Sequence, residues 1–541
     1  MMTRPDVAYR FVPSAVLLAA LIAANGLSAA ESDATVWVQG FNSAAISAAI
    51  ARSQPGDTVK LPAGTFAITE AVAPKAGTKF IGAGQDKTVL RFAGDKPTVM
   101  VTVTGCKIGL ELAGFTIDAA GDANVQATLN VYDSRKLNIH HLTVRNTDRK
   151  CGSPAIHFSG DAPTHQHGVT DSVISDCTFE NIGLDSGWGC GVRLSWGSAR
   201  NTVERCTVRN TGRGGILTDN ESSDLIIRNN TVTGSGGDGL GIEVWGGCDR
   251  CVIEDNKIDH WLSIGGADWC AARRNVVSDK SGTVKFIGIE VIGSYCVVTD
   301  NLIDDGQMIG ISVSNVNRKD YVYYANNTVQ NCIQWAAQFQ GETTGIQYNY
   351  LYKCRFNDTA VGRGKPIYPS DQGHGFRING GMNHCVLEEC EMRGNGRLGV
   401  QMFGPNTDFL SFIKCAIVDN KGAAVSGPGD YTAMEWTDCA VKGNGSDAIP
   451  PAKPFPTSAP KADVICNASA KVGVPATFVC KSDALADPKA VAFWDFGGGL
   501  PATGRRATHT FDRPGTYQVA LIVWDAAGRG VRAARTVKVT R

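Results

Sequence analysis

The chain has 541 residues, with 62 glycines and with 52 basic side chains against 52 acidic ones. This balance gives no electrostatic case for a nucleic acid partner, because affinity for nucleic acid depends on neutralising phosphates. Hydrophobic residues make up 43% of the chain. Glycine is well above its usual share of roughly 7%, so we expect a globular protein with many turns.

Residues 1–30 have the pattern of an export signal. Arg4 and Arg10 provide a charged start, an apolar stretch follows at 16–24, and small residues end at Ala30. We therefore expect cleavage near Ala30 and a secreted or periplasmic protein. No later stretch approaches the roughly 18 apolar residues that span a bilayer, so the sequence predicts no membrane span.

A repeat dominates the chain after a short amphipathic helix, which the spacing of Ile46 and Ile50 predicts. Short phrases such as Asn301-Leu-Ile and Cys415-Ala-Ile, each with an Asn or Cys before alternating apolar residues, return about every 27 residues. A second phrase, as in Gly241-Ile-Glu-Val, precedes most of them. Several short strands in each unit of this length predict a solenoid.

This pattern resembles the right-handed parallel β-helix of the pectin-lyase-like superfamily over residues 31–449. The early helix is similar to the N-terminal cap of such proteins. The resemblance implies an all-β fold in which the Asn and Cys positions stack in an internal ladder. A Cys in such a ladder is expected to be a small buried residue rather than a redox site.

The composition changes to a Pro-rich linker at 450–462, which we expect to be extended and semi-rigid. A second domain follows at 463–541. Its phrases Trp494-Asp-Phe-Gly, His509-Thr-Phe and Val523-Trp-Asp resemble a PKD module, which implies a small immunoglobulin-like β-sandwich.

Two features of this second domain leave its details open. Gly498 stands where the PKD family usually has Asp, so the chemistry of that turn differs. Cys466 and Cys480 are either a disulfide or two buried thiols, since the sequence does not give their separation.

Candidate site residues follow from strand alternation. In the Gly-Ile-x-Val phrases the x side chain is expected to face outward, because its apolar neighbours face the core. The x positions form a row of His157, Arg193, Leu217, Glu243, Ser263 or Gly265, Glu290, Ser312, Gln338, Arg377 and Gln401. The second outward position adds Asp219, Trp245, Gln340 and Asn379 to this row.

Such a groove suits a polysaccharide, because aromatic rings stack on sugar rings while amides and charged groups bind hydroxyls. Six tryptophans contribute to the expected density of rings, namely Trp188, Trp196, Trp245, Trp261, Trp269 and Trp335. The predicted substrate-binding residues are Arg193, Trp245, Gln338, Gln340, Arg377, His157 and His374. Asp371 and His374 lie in a long insertion that is expected to wall the groove.

Glu243 and Glu290 are the sharpest catalytic candidates, because they occupy the same place in two nearly identical phrases. Two strand spacings separate their backbones by roughly 9.6 Å. This separation is close to the roughly 6.5–9.5 Å between the two carboxyl groups of inverting glycoside hydrolases. We therefore expect a glycoside hydrolase, with Asp219 as a third candidate and with the acid and base roles unassigned.

Two alternatives stay open. A polysaccharide lyase would use Arg193, Arg377, Lys285 or His157 against a uronate, with Glu243 and Glu290 as possible Ca²⁺ ligands. A non-catalytic protein would hold a glycan in the groove without cleaving it. No motif in the sequence specifies the sugar, its linkage, metal ligands, a cofactor or the oligomeric state.

Overall fold

The computed structural model describes residues 33–541 apart from a few short segments, which are 237–239, 280–284, 306, 314–318, 342–344, 361–367, 405–406 and 428–429. The predicted signal peptide lies outside the described residues. Within them, no helix is long and apolar enough to cross a membrane.

The chain begins with a helix that closes one end of the solenoid. The helix Ser43–Arg52 starts after Asn42, whose side chain accepts a hydrogen bond from the backbone N–H of Ala45 at 2.9 Å. Ile46 and Ile50 are buried, as their spacing predicts. The helix thus covers apolar core that the first turn would otherwise expose to water.

One face of the solenoid is a sheet of 13 parallel strands in the described residues, which we call the groove sheet. Its strands are Thr98–Thr104, Val125–Tyr132, Ile156–Ser159, Cys190–Leu194, Gly214–Thr218, Ile242–Trp245, Leu262–Gly265, Lys285–Val291, Gln307–Val313, Trp335–Gln340, His374–Asn379, Val400–Phe403 and Val425–Ser426.

The remaining faces join into a second parallel sheet, the long sheet, with 31 strands in the described part of the chain. Its first column contains Thr35–Trp37, Thr58–Lys60, Lys79–Ile81, Leu110–Asp118, Leu137–Arg145, Val173–Ser175, Thr202–Glu204, Ile226–Arg228, Val252–Glu254, Ala271–Arg273, Val297–Thr299, Tyr323–Ala325, Tyr350–Tyr352, Met382–Glu388, Asp408–Ile413 and Met434–Thr437.

Leu110–Asp118 and Leu137–Arg145 run on into the second column of the long sheet. The other strands of that column are Gly64–Ile68, Thr88–Phe92, Thr178–Ile182, Thr207–Thr211, Thr231–Ser235, Lys257–Ile258, Val276–Val277, Leu302–Asp304, Thr328–Gln330, Arg355–Asn357, Glu391–Arg393, Ala416–Val418 and Ala440–Lys442. Two short strands, Lys319–Asp320 and Ile346–Gln347, pair beside them.

The C-terminal region is a β-sandwich. One sheet contains Asp463–Ile465, Pro475–Lys481 and Arg506–Thr510, and the other contains Ser469–Lys471, Val491–Asp495, Ala502–Thr503, Gly515–Trp524 and Gly530–Thr540. A single 3-10 turn spans Asp483–Ala486. The predicted fold class, a solenoid followed by a small sandwich, is confirmed.

An internal ladder of asparagines holds successive turns in register. The side-chain amides of Asn230, Asn256, Asn275 and Asn301 each donate to the Oδ1 atom of the next member, at 2.9–3.0 Å. Each amide also donates to a backbone carbonyl, as Asn275 does to Ile253 at 2.9 Å. The ladder therefore satisfies buried main-chain groups at a corner where no regular strand pairing is available.

The residue before each of these ladder members adopts the left-handed backbone conformation. Asp255, Arg274 and Asp300 have φ values of 58°, 52° and 58°. Their side chains point outward, and Arg274 donates to Asp255 on the preceding turn at 2.8 Å. Each of these corners therefore places a polar side chain on the outside and an asparagine amide on the inside.

Cysteines extend the ladder where asparagines do not. Cys206 and Cys354 adjoin its two ends, and Cys390 and Cys415 continue it. Cys251, Cys270 and Cys296 are also buried but stack at the preceding corner of each turn, where the Cys251 N–H donates to Cys270 Sγ at 3.4 Å. All 17 cysteines are free, which include Cys466 and Cys480 of the sandwich. The structure therefore has two thiols rather than a disulfide at this pair.

Replacing a ladder asparagine should destabilise the solenoid strongly. Asn275→Ala leaves the amide of Asn256 and the carbonyl of Ile253 without their buried partners, so we expect the free energy of unfolding to fall by about 3 kcal/mol. Urea unfolding followed by circular dichroism measures the change. The exposed neighbour variant Lys257→Ala should stay within about 0.5 kcal/mol of the parent, and equal effects of the two variants would contradict the ladder's role.

Candidate functional site on the groove sheet

The row of x positions forms one continuous register on the groove sheet. Arg193 pairs with His157 and Leu217, and the pairing then runs through Glu243 and Ser263. Beyond these residues the register continues through Glu290, Ser312, Gln338, Arg377 and Gln401. The sequence pattern thus identified the residues that neighbour each other across successive turns.

The expectation that this row is open to solvent is only partly correct. Glu243, Gln338 and Arg377 are only 7–8% exposed, although their side chains lie on the outer face. Side chains on adjacent strands, about 4.8 Å apart, cover each other, and the corner residue Arg213 reaches over Glu243. The row from His157 to Gln401 is therefore the floor of the groove, and larger side chains such as Arg213 cover parts of it.

Glu243 is held by a bidentate ion pair. The guanidinium of Arg213 donates from Nη2 at 2.8 and 2.9 Å and from Nε at 3.1 Å to the two carboxylate oxygens. Burial raises the pKa of Glu243 and Arg213 lowers it, while the charges of Asp219 and Glu290 raise it further; the net shift is upward. The Glu243 carboxyl therefore holds a proton more strongly than an ordinary glutamate does.

Asp219 and His157 lie at the N-terminal end of the same floor. The guanidinium of Arg193 donates to Asp219 from Nη2 at 2.6 Å and from Nε at 3.1 Å. His157 Nε2 lies 2.8 Å from the hydroxyl of Ser195, and burial, together with the charge of Arg193, lowers the pKa of His157 to about 4. Asp219 is thus occupied in holding Arg193.

Aromatic rings border the two ion pairs. Trp188 lies against both guanidiniums, with its ring centroid 4.7 Å from Cζ of Arg193 and 5.3 Å from Cζ of Arg213. Trp188 and Trp245 are 47% and 53% exposed, so part of each ring is open to a ligand. Trp269 instead stacks on Tyr295 at the edge of the long sheet and contributes nothing to this groove.

Glu290 lies two strands from Glu243, with Ser263 between them. The Ser263 hydroxyl donates to Oε2 of Glu290 at 2.7 Å, and the indole N–H of Trp261 donates to the same oxygen at 3.2 Å. Both donors stabilise a negative charge on this oxygen. Glu243 thus contacts Arg213, while Glu290 contacts Ser263 and Trp261.

A second cluster lies farther along the row, in a groove of about 360 Å³. Phe286, Trp335 and Tyr368 give this groove its apolar walls, and Gln338, Gln340 and Asn379 give it amides. The rings of Trp335 and Tyr368 are nearly parallel, with an interplanar angle of 16° and a centroid separation of 6.1 Å. Amides between flat rings match the mixed polar and apolar surface of a sugar.

Arg377 forms one wall of this second groove. Its Cζ atom lies 4.1 Å from the centroid of Trp335 and 4.4 Å from that of Phe403. Its Nη2 donates to Asp371 at 3.2 Å, while Nε has no hydrogen-bond partner among the described residues. The guanidinium is thus fixed flat between two rings.

Asp371 connects the insertion to the groove sheet. Its carboxylate contacts His374 Nε2 at 2.9 Å and accepts from Gln401 Nε2 at 3.1 Å. Its backbone carbonyl accepts from the indole of Trp335 at 2.9 Å. Burial alone would raise the pKa of Asp371, but the hydrogen bond from Gln401 and the charge of Arg377 outweigh it, so the pKa is lowered.

The structure adds residues that the sequence patterns missed. Arg213 precedes a strand at a corner rather than at an x position, and Tyr368 belongs to an irregular segment. The in-and-out alternation of strand residues does not predict side-chain direction at corners or in irregular segments. Within the described residues, no group of three or more His, Cys, Asp or Glu side chains is arranged to hold a metal ion.

Residues 101–279 match the sequence profile of the right handed beta helix region, and residues 457–540 match that of the PKD domain. The chain is a right-handed β-helix protein with a C-terminal PKD domain. The chain is 35% identical over 83 residues to the microbial collagenase of Vibrio alginolyticus. The match covers 15% of this chain and spans about a tenth of that relative's length.

Solved structures with a similar fold share little sequence with the β-helix. The Azotobacter vinelandii mannuronan C-5 epimerase AlgE4 A-module is 16% identical, with 75% of this chain and 100% of that chain covered and a TM-score of 0.38. The GH87 alpha-1,3-glucanase catalytic unit of Streptomyces thermodiastaticus is 14% identical, with 78% and 69% covered and a TM-score of 0.33. These matches concern the fold alone.

Stability should depend on pH through His374, which is fully buried. Burial lowers the pKa of His374 to about 4, against 6.5 when unperturbed. Between pH 6.5 and 4, His374 therefore binds a proton in the unfolded chain but stays neutral in the folded chain. The contribution of neutral His374 to the free energy of unfolding is complete above pH 6.5. It decreases toward pH 4 by up to about 1.4 kcal/mol per pH unit.

Urea unfolding at pH 6.5, 5.5 and 4.5 measures this dependence. His374→Gln should flatten the slope relative to the parent, whereas the exposed variant His141→Gln should keep it. An unchanged slope in His374→Gln would refute the assignment.

Proposed function

We propose that this β-helix protein is an exported enzyme that degrades a polysaccharide bound along the groove sheet. The observation that carries the proposal is one continuous row from His157 to Gln401, in which all side chains except that of Leu217 are polar. Exposed rings border it at Trp188 and Trp245, and the ring pair of Trp335 and Tyr368 borders its other half. A row of this length suits a polymer better than a small molecule.

The best supported reaction is glycoside hydrolysis. The raised pKa of Glu243 suits a general acid, and Glu290, which accepts hydrogen bonds from Ser263 and Trp261, would be the general base. Glu243 would give its proton to the glycosidic oxygen as the bond to the leaving sugar breaks. Glu290 would take a proton from the water that attacks the anomeric carbon from the opposite side.

Two strand spacings, about 9.6 Å between backbones, leave room for that water and favour inversion of the anomeric centre. Arg213 has a defined place in this scheme, because it holds the Glu243 carboxyl in one orientation. Asp219 acts one step away, since it fixes Arg193 beside Trp188. The amides Gln338 and Gln340 would bind sugar hydroxyls farther along the polymer.

A polysaccharide lyase is the second candidate, and the placement of Arg377 favours it. A guanidinium fixed between Trp335 and Phe403 can neutralise the carboxylate of a uronate. A base would then take the proton from the adjacent carbon as the bond to the leaving oxygen breaks. In this reaction Glu243 and Glu290 would serve as Ca²⁺ ligands instead, although Arg213 already occupies Glu243.

Removing either glutamate should abolish hydrolysis. Glu243→Gln and Glu290→Gln keep the shape of the side chains but cannot transfer a proton, so we expect kcat to fall by at least about 1,000-fold. Release of reducing ends from a panel of neutral and uronate polysaccharides measures the activity. Glu180→Gln, on the long sheet, is the matched control and should retain full activity.

The same panel distinguishes the three functions. Reducing ends without ultraviolet absorbance support hydrolysis. Unsaturated products that absorb in the ultraviolet, with loss of activity in chelator, support the lyase. Binding without any product supports a glycan-binding protein and refutes both enzymes.

Arg213 should set the upper pH limit of hydrolysis. Because its charge lowers the pKa of Glu243, Arg213→Ala should raise that pKa and keep Glu243 protonated at higher pH. The basic limb of the kcat/KM profile should therefore move to higher pH, with a smaller shift in Arg213→Lys. Arg209→Ala removes an exposed arginine from the long sheet and should leave the profile unchanged; an unmoved limb in Arg213→Ala would contradict the acid role of Glu243.

A further inference from the structure

The PKD domain packs on the outside of the long sheet through a buried apolar patch. Ala271, Tyr323 and Tyr350 of the β-helix meet Ala520, Ile522 and Trp524 of the sandwich, and all six are buried. On the strand Ala271–Arg273 the middle residue, Ala272, faces the β-helix core, so Ala271 and Arg273 point outward. The patch is therefore separate from both domain cores.

Polar contacts across this interface are equally specific. Arg273 is fully buried, and its Nη2 donates to Oδ1 of Asp495 at 2.6 Å. Arg532 donates from Nε to the hydroxyl of Tyr323 at 2.8 Å. The pair of Arg273 and Asp495 specifies how the two domains fit together, because a docked arrangement that separated them would leave a buried charge without its partner.

A stack of tyrosine rings on the β-helix forms part of the docking surface. Tyr295, Tyr321 and Tyr348 occupy equivalent corners on successive turns, with centroids 5.2 and 4.9 Å apart. Trp524 lies beside this stack with its ring nearly perpendicular to the tyrosine rings, 5.4 Å from the centroid of Tyr321 and 6.3 Å from that of Tyr348. One indole of the PKD domain thus contacts two neighbouring turns at once.

The segment that joins the two domains is also fixed. Lys453 pairs with Met434 through two backbone hydrogen bonds of 2.8 and 2.9 Å. Phe455 is buried and contacts Phe409 and the guanidinium of Arg529. The predicted Pro-rich linker is therefore packed along the β-helix at Lys453 and Phe455.

The turns that the PKD domain contacts are the turns that carry the groove. Each turn contributes one strand to the groove sheet and the next strand to the long sheet. Ser263 is followed by Ala271 on the docking side, and Gln338 is followed by Tyr350. The core of the solenoid is all that separates the docked sandwich from the floor between Ser263 and Arg377.

We infer that the PKD domain is a fixed brace for the groove-bearing turns and that its five-stranded sheet is not a free ligand-binding face. Domains joined by a linker move relative to each other by default, unless a large apolar interface holds them. Here the interface is apolar, contains a buried ion pair and crosses several turns. The inference goes beyond the proposed function and does not depend on any catalytic activity.

Two substitutions in the full chain release the brace from opposite sides. Ala520→Glu and Ala271→Glu each place a charge in the buried patch but lie outside the cores of their own domains. Gln518→Glu is the matched control, because Gln518 lies on the same strand and face as Ala520 but is exposed. The double variant Ala271→Glu/Ala520→Glu tests whether both act through one interface.

Small-angle scattering and amide hydrogen exchange provide the two readouts. We expect a larger radius of gyration in both single variants, with the core strand around Val519 and Leu521 still protected. Amides of the groove strands Lys285–Val291 and Trp335–Gln340 should exchange at least about tenfold faster. The double variant should be no worse than the more affected single variant, and Gln518→Glu should behave as the parent does.

Three results would overturn the inference. A parent protein whose scattering requires a mobile PKD domain refutes the fixed brace. Variants that stay docked refute the apolar patch as its basis. Variants that release the PKD domain while the groove strands keep their protection refute any bracing of the groove. Activity is not part of this test, so its outcome is independent of whether the chain is a hydrolase, a lyase or a binding protein.

Discussion

The in-register stacking of parallel turns is the constraint on which the rest of the structure depends. A hydrogen-bonded spacing of about 4.8 Å brings the same position of each turn beside its counterpart in the next. Any residue type repeated in sequence therefore becomes a continuous column in space. The asparagine ladder, the stack of tyrosines and the row from His157 to Gln401 are three such columns with different chemistry.

Stacking also determines how charge is managed in the groove. Like charges stacked within one column would repel each other, and burial would remove their water. Glu243, Asp219 and Asp371 therefore each pair with an arginine from a different position of the turn. Arg213 comes from a corner to bind Glu243, Arg193 reaches along the row to Asp219, and Asp371 comes from an insertion to bind Arg377. The candidate site is thus built from ion pairs between strand residues and residues of corners and insertions. Such irregular segments usually carry binding specificity.

The same logic links the outside of the long sheet to the groove. A column of tyrosines on the outside is an apolar stripe that a monomeric solenoid would leave exposed to water. The PKD domain covers it with Trp524 and Ile522, and Arg273 and Asp495 fix the arrangement. The docked domain and the row from His157 to Gln401 thus lie on opposite surfaces of the same turns.

Periodicity and alternation in the sequence determined the solenoid and the order of residues along the row, because these depend on local repeats of strand and corner. The sandwich followed from the resemblance of the C-terminal phrases to a PKD module. Ile46 in the cap, Asn275 in the ladder and Glu290 in the row are all of this kind. Only the tertiary structure decided that Glu243 is buried under Arg213, that Trp269 faces away from the groove, and that Cys466 and Cys480 remain thiols. It alone brought Arg273 to Asp495, more than 200 positions later in the chain. Such contacts depend on where corners and insertions fold back onto the scaffold, and a pattern of neighbouring residues carries no information about that.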